Sequence, residues 1–452
     1  MIKRVVIVGA GPSGVLLAHY LLRRDEQYNV EIYERRSDPQ TVPFSSARTF
    51  PLVLNQRGMT ALSKVEGILA AIKAVSLEST GSLVHQKKGK TQFLPRKKPI
   101  LILDRRRLVV TLLKMLTQQY SSDLRKAQQR SYRLKIHFDH QCKQVDFEAK
   151  TVTFENTAVN SIGEVTVGYD LLIGADGARS RVREQFLSTN QFELEKKYVP
   201  SAYKSIFLPA ESAASLKAGY IHTWRSSDGI FATLVHDIDG LINGTVNFPR
   251  ENNPIVNFST KEQVWQFFRE YLPEIAELLP ESEVEAFLNR PISTILTIRC
   301  NRYHHGDSVL LIGDAAHATS PSLGQGCNAS LEDVAFFDQL LDEYPNDIGE
   351  VLKQFTLRRK PDAHALVELS DYTFPLSSKL LFLELFIRLR TAQFMHQLFP
   401  RYFSPSLLQL LSETTIPYSE ILNSHKGWIS KVKQANEKFL ERQRSPQHVR
   451  LN

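Results

Sequence analysis

The chain has 452 residues, 42% hydrophobic and 23% charged, the proportions of an ordinary soluble protein with enough material for one large core or two connected ones. Basic residues outnumber acidic ones by 56 to 48, a net +8 dispersed in pairs, so no nucleic-acid-binding block is indicated; the excess reads as a solvated surface, or as a face drawn to an anionic cofactor or a membrane surface. Cys142, Cys300 and Cys327 have no C-x-x-C spacing, which argues against a disulfide framework or a zinc site and suits a reducing, cytoplasmic setting.

The chain opens as a strand at residues 4–8, then Gly9-Ala10-Gly11-Pro12-Ser13-Gly14, an apolar-faced helix through Leu22 and a second strand at residues 30–33. The first apolar run is too short, and too soon ended by Gly9, to be an export signal. In such a turn the first glycine permits the tight bend and the second lets backbone approach a pyrophosphate. The third lets helix and strand pack closely, while the helix N-terminus offers free N–H groups to phosphates. Glu34 follows Gly14 by 20 residues, where a carboxylate accepts hydrogen bonds from a ribose. Arg35 and Arg36 come next, either solvated or touching phosphate or adenosine.

Residues 105–120 have a helical pattern, 134–154 alternate like strands joined by turns, and 169–173 form a short apolar run typical of a buried strand. After it comes Gly174-Ala175-Asp176-Gly177-Ala178-Arg179-Ser180-Arg181-Val182-Arg183. A glycine-flanked aspartate alone is a common Asx turn, but the Ser180, Val182 and Arg183 that follow make this one more particular. Residues 203–248 become β-rich, with turns at Ser226-Ser227-Asp228-Gly229 and Asp237-Ile238-Asp239-Gly240, as in an antiparallel sheet inserted into an α/β domain.

A buried strand at residues 309–312 leads into Gly313-Asp314-Ala315-Ala316-His317 and then Pro321-Ser322-Leu323-Gly324-Gln325-Gly326-Cys327-Asn328. Asp314 at the strand end can bind ribityl hydroxyls, and the turn at 324–328 opens a helix whose N–H groups can face flavin pyrimidine oxygens. Three distant motifs therefore converge on one dinucleotide, noncovalent FAD. His317 reads as a packing residue of its turn more readily than as a general base. From about Asn328 onward the chain is nearly all helical. Residues 380–389 contain Glu384 and Arg388 and fall short of the roughly 20 apolar residues that span a bilayer, so a buried or interfacial helix is expected. The many Leu and Phe residues of 352–411 read as core, and the charged segment 431–452 as a fraying end.

These motifs resemble the class A, single-component flavoprotein monooxygenases, and specifically the kynurenine 3-monooxygenase family. The likeness runs from Met1 to about Lys431. It includes Tyr33-Glu34, Arg48 ahead of Leu52-Val53-Leu54, Asp104-Arg105, His222-x-Trp224, residues 313–328 with Glu332-Asp333, and Ile416-Pro417-Tyr418-Ser419-Glu420. The resemblance implies a Rossmann-like FAD-binding domain of the glutathione-reductase type, an inserted antiparallel β-sheet substrate domain and C-terminal helices. The expected division is FAD-binding segments at 1–75, 104–190 and 299–345, substrate-domain segments at 76–103 and 191–298, and a helical region at 346–452.

It further implies Arg48 and Arg105 near the cofactor, and NADPH or NADH as reductant without a separate domain for it. Oxygen from O2 would pass through a flavin C4a-hydroperoxide to a small, usually aromatic substrate. No nucleophile or acid–base pair need be visible, and none is, since the cofactor carries the hard chemistry. Tyr220, His222, Trp224 and Arg225 can face either substrate or core, and alternation alone leaves this open.

The substrate positions depart from the family pattern. Its carboxylate-binding arginine falls on Ser82 ahead of His85, its pocket tyrosine on Arg96 after Pro95, its late asparagine on Thr373 beside Tyr372, and its final tyrosine on Leu407 or Leu408. Arg96 either restores the missing cation or belongs to the solvated run Arg96-Lys97-Lys98. The expected activity is thus hydroxylation of a substrate other than kynurenine. A related dehydrogenase or oxidase and a noncatalytic FAD-binding protein are the alternatives; a halogenase is disfavoured because Trp224, Trp265 and Trp428 stand isolated. A membrane segment follows this region in the family and the chain ends here, so a soluble or at most peripheral protein is expected.

Overall fold

A computed structural model describes residues 3–24, 27–41, 51–86, 89–120, 133–158, 163–212, 214–226, 229–251, 253–376 and 378–444. Its first sheet runs His304–His305, Val309–Leu311, Leu171–Gly174, Lys3–Val8, Tyr28–Tyr33, Leu134–His137, parallel except for the first pair. A parallel sheet is covered on both faces and so needs nearly continuous apolar strands, which Val5 to Val8, Leu171 to Ile173 and Val309 to Leu311 supply in buried form. The carboxyl ends of these strands share one edge, where ligands of open α/β sheets bind.

The second sheet has eight strands in the order Ser293–Cys300, Leu194–Leu208, Ile242–Pro249, Phe231–His236, Ile221–Arg225, Leu77–Gln86, Lys90–Asp104, Pro51–Leu54. It is antiparallel apart from the parallel pairing of Ile221–Arg225 with Leu77–Gln86. The expected inserted sheet is therefore larger than its β-rich stretch, because three of its strands come from before residue 105. Side chains alternate across it. Ala202, Ile206, Trp224, Ala232, Leu234 and Val246 turn to one face and form a core with the helices Lys261–Tyr271 and Glu281–Asn289. The opposite face carries Ser82, Ile221, Thr223, Arg225, Phe231 and Thr233, none of them fully buried. A small sheet of His140–Asp146, Thr151–Asn156 and Glu164–Gly168 completes the β-structure described.

The helices Gly326–Glu343, Ile348–Tyr372, Lys379–Leu398, Leu407–Glu413 and Tyr418–Arg444 close the chain. Two expectations are corrected here. The segment from 431 does not fray: the last helix continues to Arg444 because Ile429 and Val432 are buried against the C-terminal core, and residues 445–452 lie outside the described residues. The apolar residues of Lys379–Leu398 are not all core, since only Leu381 and Leu385 are buried. Among the described residues no helix is long and apolar enough to cross a membrane.

Candidate functional site

The Gly9 turn is held by Gly9 N donating to Tyr33 O at 2.8 Å and Ala10 N donating to the Glu34 carboxylate at 2.9 Å. Gly9 has φ +107°, and a Cβ there would lie 2.5 Å from the Ala175 carbonyl oxygen, so the first and second motifs touch through a contact only glycine allows. A Cβ on Gly14 would meet Gly9 O at 2.2 Å, which is the close strand–helix approach expected of the third glycine. The helix Pro12–Leu22 begins at Gly11 with no side-chain cap, leaving its first N–H groups available to an anion. Arg35 and Arg36 are exposed beside Glu34, while Arg48 lies outside the described residues.

Asp176 Oδ2 accepts from Arg181 N at 2.6 Å and from Val182 N at 3.3 Å, capping the helix Arg181–Phe186. Its other oxygen, Oδ1, is buried and has no partner among the described residues. Burial raises the Asp176 carboxyl above the usual range, and Ser180 with the backbone N–H groups only partly offsets this. Arg183, fully buried, donates to Ala315 O at 2.8 Å and to Ala178 O at 2.7 Å, tying the second motif to the third.

Asp314 is raised by burial too, with Arg105 and His317 opposing. Its side chain is accessible, so it stands in a deep recess and not in packed core. Arg105 reaches over Gly11, a Cβ on which would lie 4.0 Å from Arg105 Nη2. A Cβ on Gly313 would come within 3.2 Å of Ser13 Oγ, so the first and third motifs also meet. Cys327 is pushed up to about 12 by burial, and its neighbours Arg105 and Asp314 place it at the same recess. Just before it, Pro321–Leu323 form a 3-10 turn closed by Gly324 N donating to Pro321 O at 2.9 Å, with Gly324 at φ +64°, and the uncapped start of Gly326–Glu343 follows.

Gln325 and Asn328 are buried with side chains turned inward. Gln325 Oε1 accepts from Asn55 Nδ2 at 2.7 Å and from Tyr418 OH at 3.0 Å, and Asn328 Nδ2 donates to Val53 O at 2.8 Å and Gly324 O at 3.0 Å. Their side chains brace the turn, leaving its backbone to meet a ligand. Asn55 and Arg57 were missed by sequence reasoning: Arg57 pairs with Glu332 at 2.8 Å and stacks 3.9 Å from the Tyr418 ring centroid. An asparagine before a helix was the only available signal, and it fits any N-cap. His317 is closed off by Asp333, its Nε2 lying 2.6 Å from Asp333 Oδ2, which also accepts from Gly313 N at 2.8 Å.

Arg96 Nη1 donates to Ser82 Oγ at 3.0 Å, so two of the altered substrate positions do come together. Burial depresses the Arg96 guanidinium, Glu413 opposing, and among the described residues its one side-chain hydrogen bond is that to Ser82. The pairing of Ile221 with Ser82 puts Arg225 on the same sheet face, four residues or about 13 Å further along. Its guanidinium sits 4.8, 5.3 and 5.8 Å from the ring centroids of Phe382, Phe231 and Phe374. Thr373 is buried, its Oγ1 without a partner among the described residues, in a helix end tied to the turn at Pro321–Leu323 by Ser322 Oγ donating to Ser370 O.

Three substrate expectations are corrected. His222 and Trp224 face the opposite core, where His222 lies 2.9 Å from both His85 Nε2 and Lys217 O, and Trp224 Nε1 donates to Glu274 at 2.6 Å. Strand alternation is the reason, because residues 221, 223 and 225 take the other face, the one that carries Ser82. Leu407 is buried in the C-terminal core, leaving Leu408 half-buried beside it. A separate surface cleft of about 860 Å³ near Arg299 and His364 contains none of these residues, and Arg299 is already paired with Glu195 and Glu368.

The FAD binding domain family matches residues 3–370. The chain belongs to that family. Kynurenine 3-monooxygenase of Salinispora tropica is 30% identical over 430 residues, 93% of this chain and 90% of the relative. Violacein synthase of Chromobacterium violaceum is 28% identical over 432 residues, 93% of this chain and 96% of that protein. The solved structure of 2-methyl-3-hydroxypyridine-5-carboxylic acid oxygenase matches with TM-score 0.65 at 17% identity, covering 82% of this chain and 90% of the other, a likeness of fold. This member of the FAD binding domain family is an FAD-dependent monooxygenase of the aromatic-hydroxylase type, with NAD(P)H as cosubstrate. The residues present fit the cofactor: the orphaned Asp176 Oδ1 is an acceptor in want of a hydroxyl donor, and two uncapped helix N-termini await anionic or carbonyl oxygens.

Proposed function

We propose that this monooxygenase hydroxylates a small planar aromatic acid, other than kynurenine, held against the sheet face that carries Ser82 and Arg96. The supporting observation is the 3.0 Å hydrogen bond from Arg96 to Ser82. It uses one of five guanidinium donors and leaves a partly desolvated fork with no carboxylate in ion-pair contact among the described residues, Glu413 acting on it from further off. A desolvated cation is costly unless paired, and a substrate carboxylate would pair it bidentately. Arg225, stacked among three phenylalanines, gives the far end of the same face a second cation.

Gly9, Gly11, Pro12, Ser13 and Gly14 would cradle the pyrophosphate of FAD, with Glu34 on a ribose and Arg35 and Arg36 at the rim. Asp176 and Asp314 would accept from hydroxyls, with Arg105 between Gly11 and Asp314. The backbone from Gly324 through Cys327 would face the ring, braced by Gln325 and Asn328. Bound FAD supplies the redox and oxygen-activating chemistry. The chain's own share is to orient the substrate through Arg96 and to exclude water with the sheet above it and the C-terminal helices beside it.

The test is a screen of aromatic acids and their neutral amides against the FAD-loaded protein, with NADPH or NADH and 18O2. The expected result is that an acid stimulates reductant oxidation and gains one labelled oxygen, while its amide does so much more weakly. Stimulated oxidation without label would make the chain a dehydrogenase, and equal response to acid and amide would remove Arg96 from substrate recognition.

A further inference from the structure

The helix Lys379–Leu398 packs inward through Leu381 and Leu385, yet its outer side is also apolar. Leu380, Leu383, Ile387, Phe394 and Leu398 recur at spacings of three, four and seven along one side, interrupted there by Arg390 and Thr391, and all are exposed. Phe386 flanks it, and Phe399, Tyr402 and Phe403 extend it past the helix end. Half of the exposed large hydrophobics among the described residues, nine of 18, fall within residues 380–403, which scatter over a surface of this size does not produce.

The charges of this stretch choose the occupant. Lys379, Arg388, Arg390 and Arg401 are basic, and the one acid, Glu384, is already bonded to Arg388 and Lys431. A second copy docked through a two-fold would set this basic rim against itself. An anionic bilayer satisfies both features, taking the apolar stripe into the boundary between headgroups and acyl chains while its phosphates meet the rim. We propose that residues 379–403 dock the enzyme on an anionic lipid surface, with the helix lying in the interface plane. The same helix reaches the substrate face through Phe382, 4.8 Å from the Arg225 guanidinium, so the docked surface and the recess share one element. This inference is independent of which substrate the recess takes.

Co-sedimentation of the FAD-loaded full chain with vesicles of phosphatidylcholine alone, or mixed with phosphatidylserine, tests it. Binding is expected to the mixed vesicles, weakened about fivefold by each of Arg390→Gln and Arg401→Gln. The pair Ile387→Asp and Phe394→Asp should abolish it, with FAD content and melting temperature unchanged. Absence of binding to mixed vesicles, or equal binding by these variants, would overturn the proposal. A dimer that dissolves in Ile387→Asp, without vesicle binding, would assign the face to a second copy instead.

Discussion

Asn55 and Gln325 are 270 residues apart in sequence, and Asn55 Nδ2 donates to Gln325 Oε1 at 2.7 Å in the buried base of the turn that opens the helix Gly326–Glu343. The same Asn55 accepts from Arg57 N at 2.9 Å and caps the helix Gln56–Ser63. Asn55→Ala removes both bonds and leaves Gln325 and Arg57 N short of partners. A loss of about 1–3 kcal/mol in stability is expected, read from the denaturant midpoint, with FAD released more readily on dialysis. Unchanged FAD retention would mean that this brace does not shape the turn.

Glycine positions separate close approach from mere turn. Gly14→Ala sets a Cβ 2.2 Å from the Gly9 carbonyl oxygen, so the variant should be recovered without FAD or not folded. Gly427→Ala, with nothing within 4 Å and inside the helix Tyr418–Arg444, should instead stabilise by up to about 1 kcal/mol. Thermal melts and the flavin absorbance of the two purified variants check both outcomes.

Much of this site was legible because its parts are local. Gly9 to Gly14, Asp176 and Asp314 each follow a buried strand, and a parallel sheet aligns strand ends along one edge without further information. Long-range facts were not legible. Nothing near Arg96 signals that it reaches Ser82, and the face taken by Trp224 depends on a pairing register fixed by strands from elsewhere in the chain. Helical periodicity finds an apolar stripe on Lys379–Leu398 but does not tell which of two apolar sides meets the core.

Asp333 joins Gly313, His317 and Arg359 in the buried interior, Arg359 Nε donating to Asp333 Oδ1 at 2.7 Å. Burial alone would raise its carboxyl, but the charges and hydrogen bonds of His317 and Arg359 outweigh burial and hold it down at about 2. With the folded value below the unfolded value of about 3.9, its stabilisation is full above that value and is lost as pH falls toward 2. Asp333→Asn should cost about 1–3 kcal/mol at neutral pH by weakening the charge-assisted bonds to His317 and Arg359, Arg359 keeping its ion pairs to Glu332 and Asp362 at 2.9 Å. Its melting temperature should fall less steeply than wild type on acidification below about pH 5. Parallel pH profiles would contradict this account of the network.

Trp224 belongs to the core behind the sheet, with its indole N–H on Glu274. Trp224→Phe should therefore lower stability by about 1–3 kcal/mol through the lost hydrogen bond and the smaller ring. The apparent affinity for a stimulating substrate should not move. A KM rise without a stability change would return Trp224 to the recess.

The most direct measurement is the dissociation constant of a stimulating aromatic acid, followed by flavin absorbance, for wild type, Arg96→Lys and Arg96→Ala. Affinity is expected to weaken at least tenfold in Arg96→Ala and to be partly restored in Arg96→Lys, with FAD content unchanged and the neutral amide bound equally by all three. Equal affinity for the acid in wild type and Arg96→Ala would contradict it.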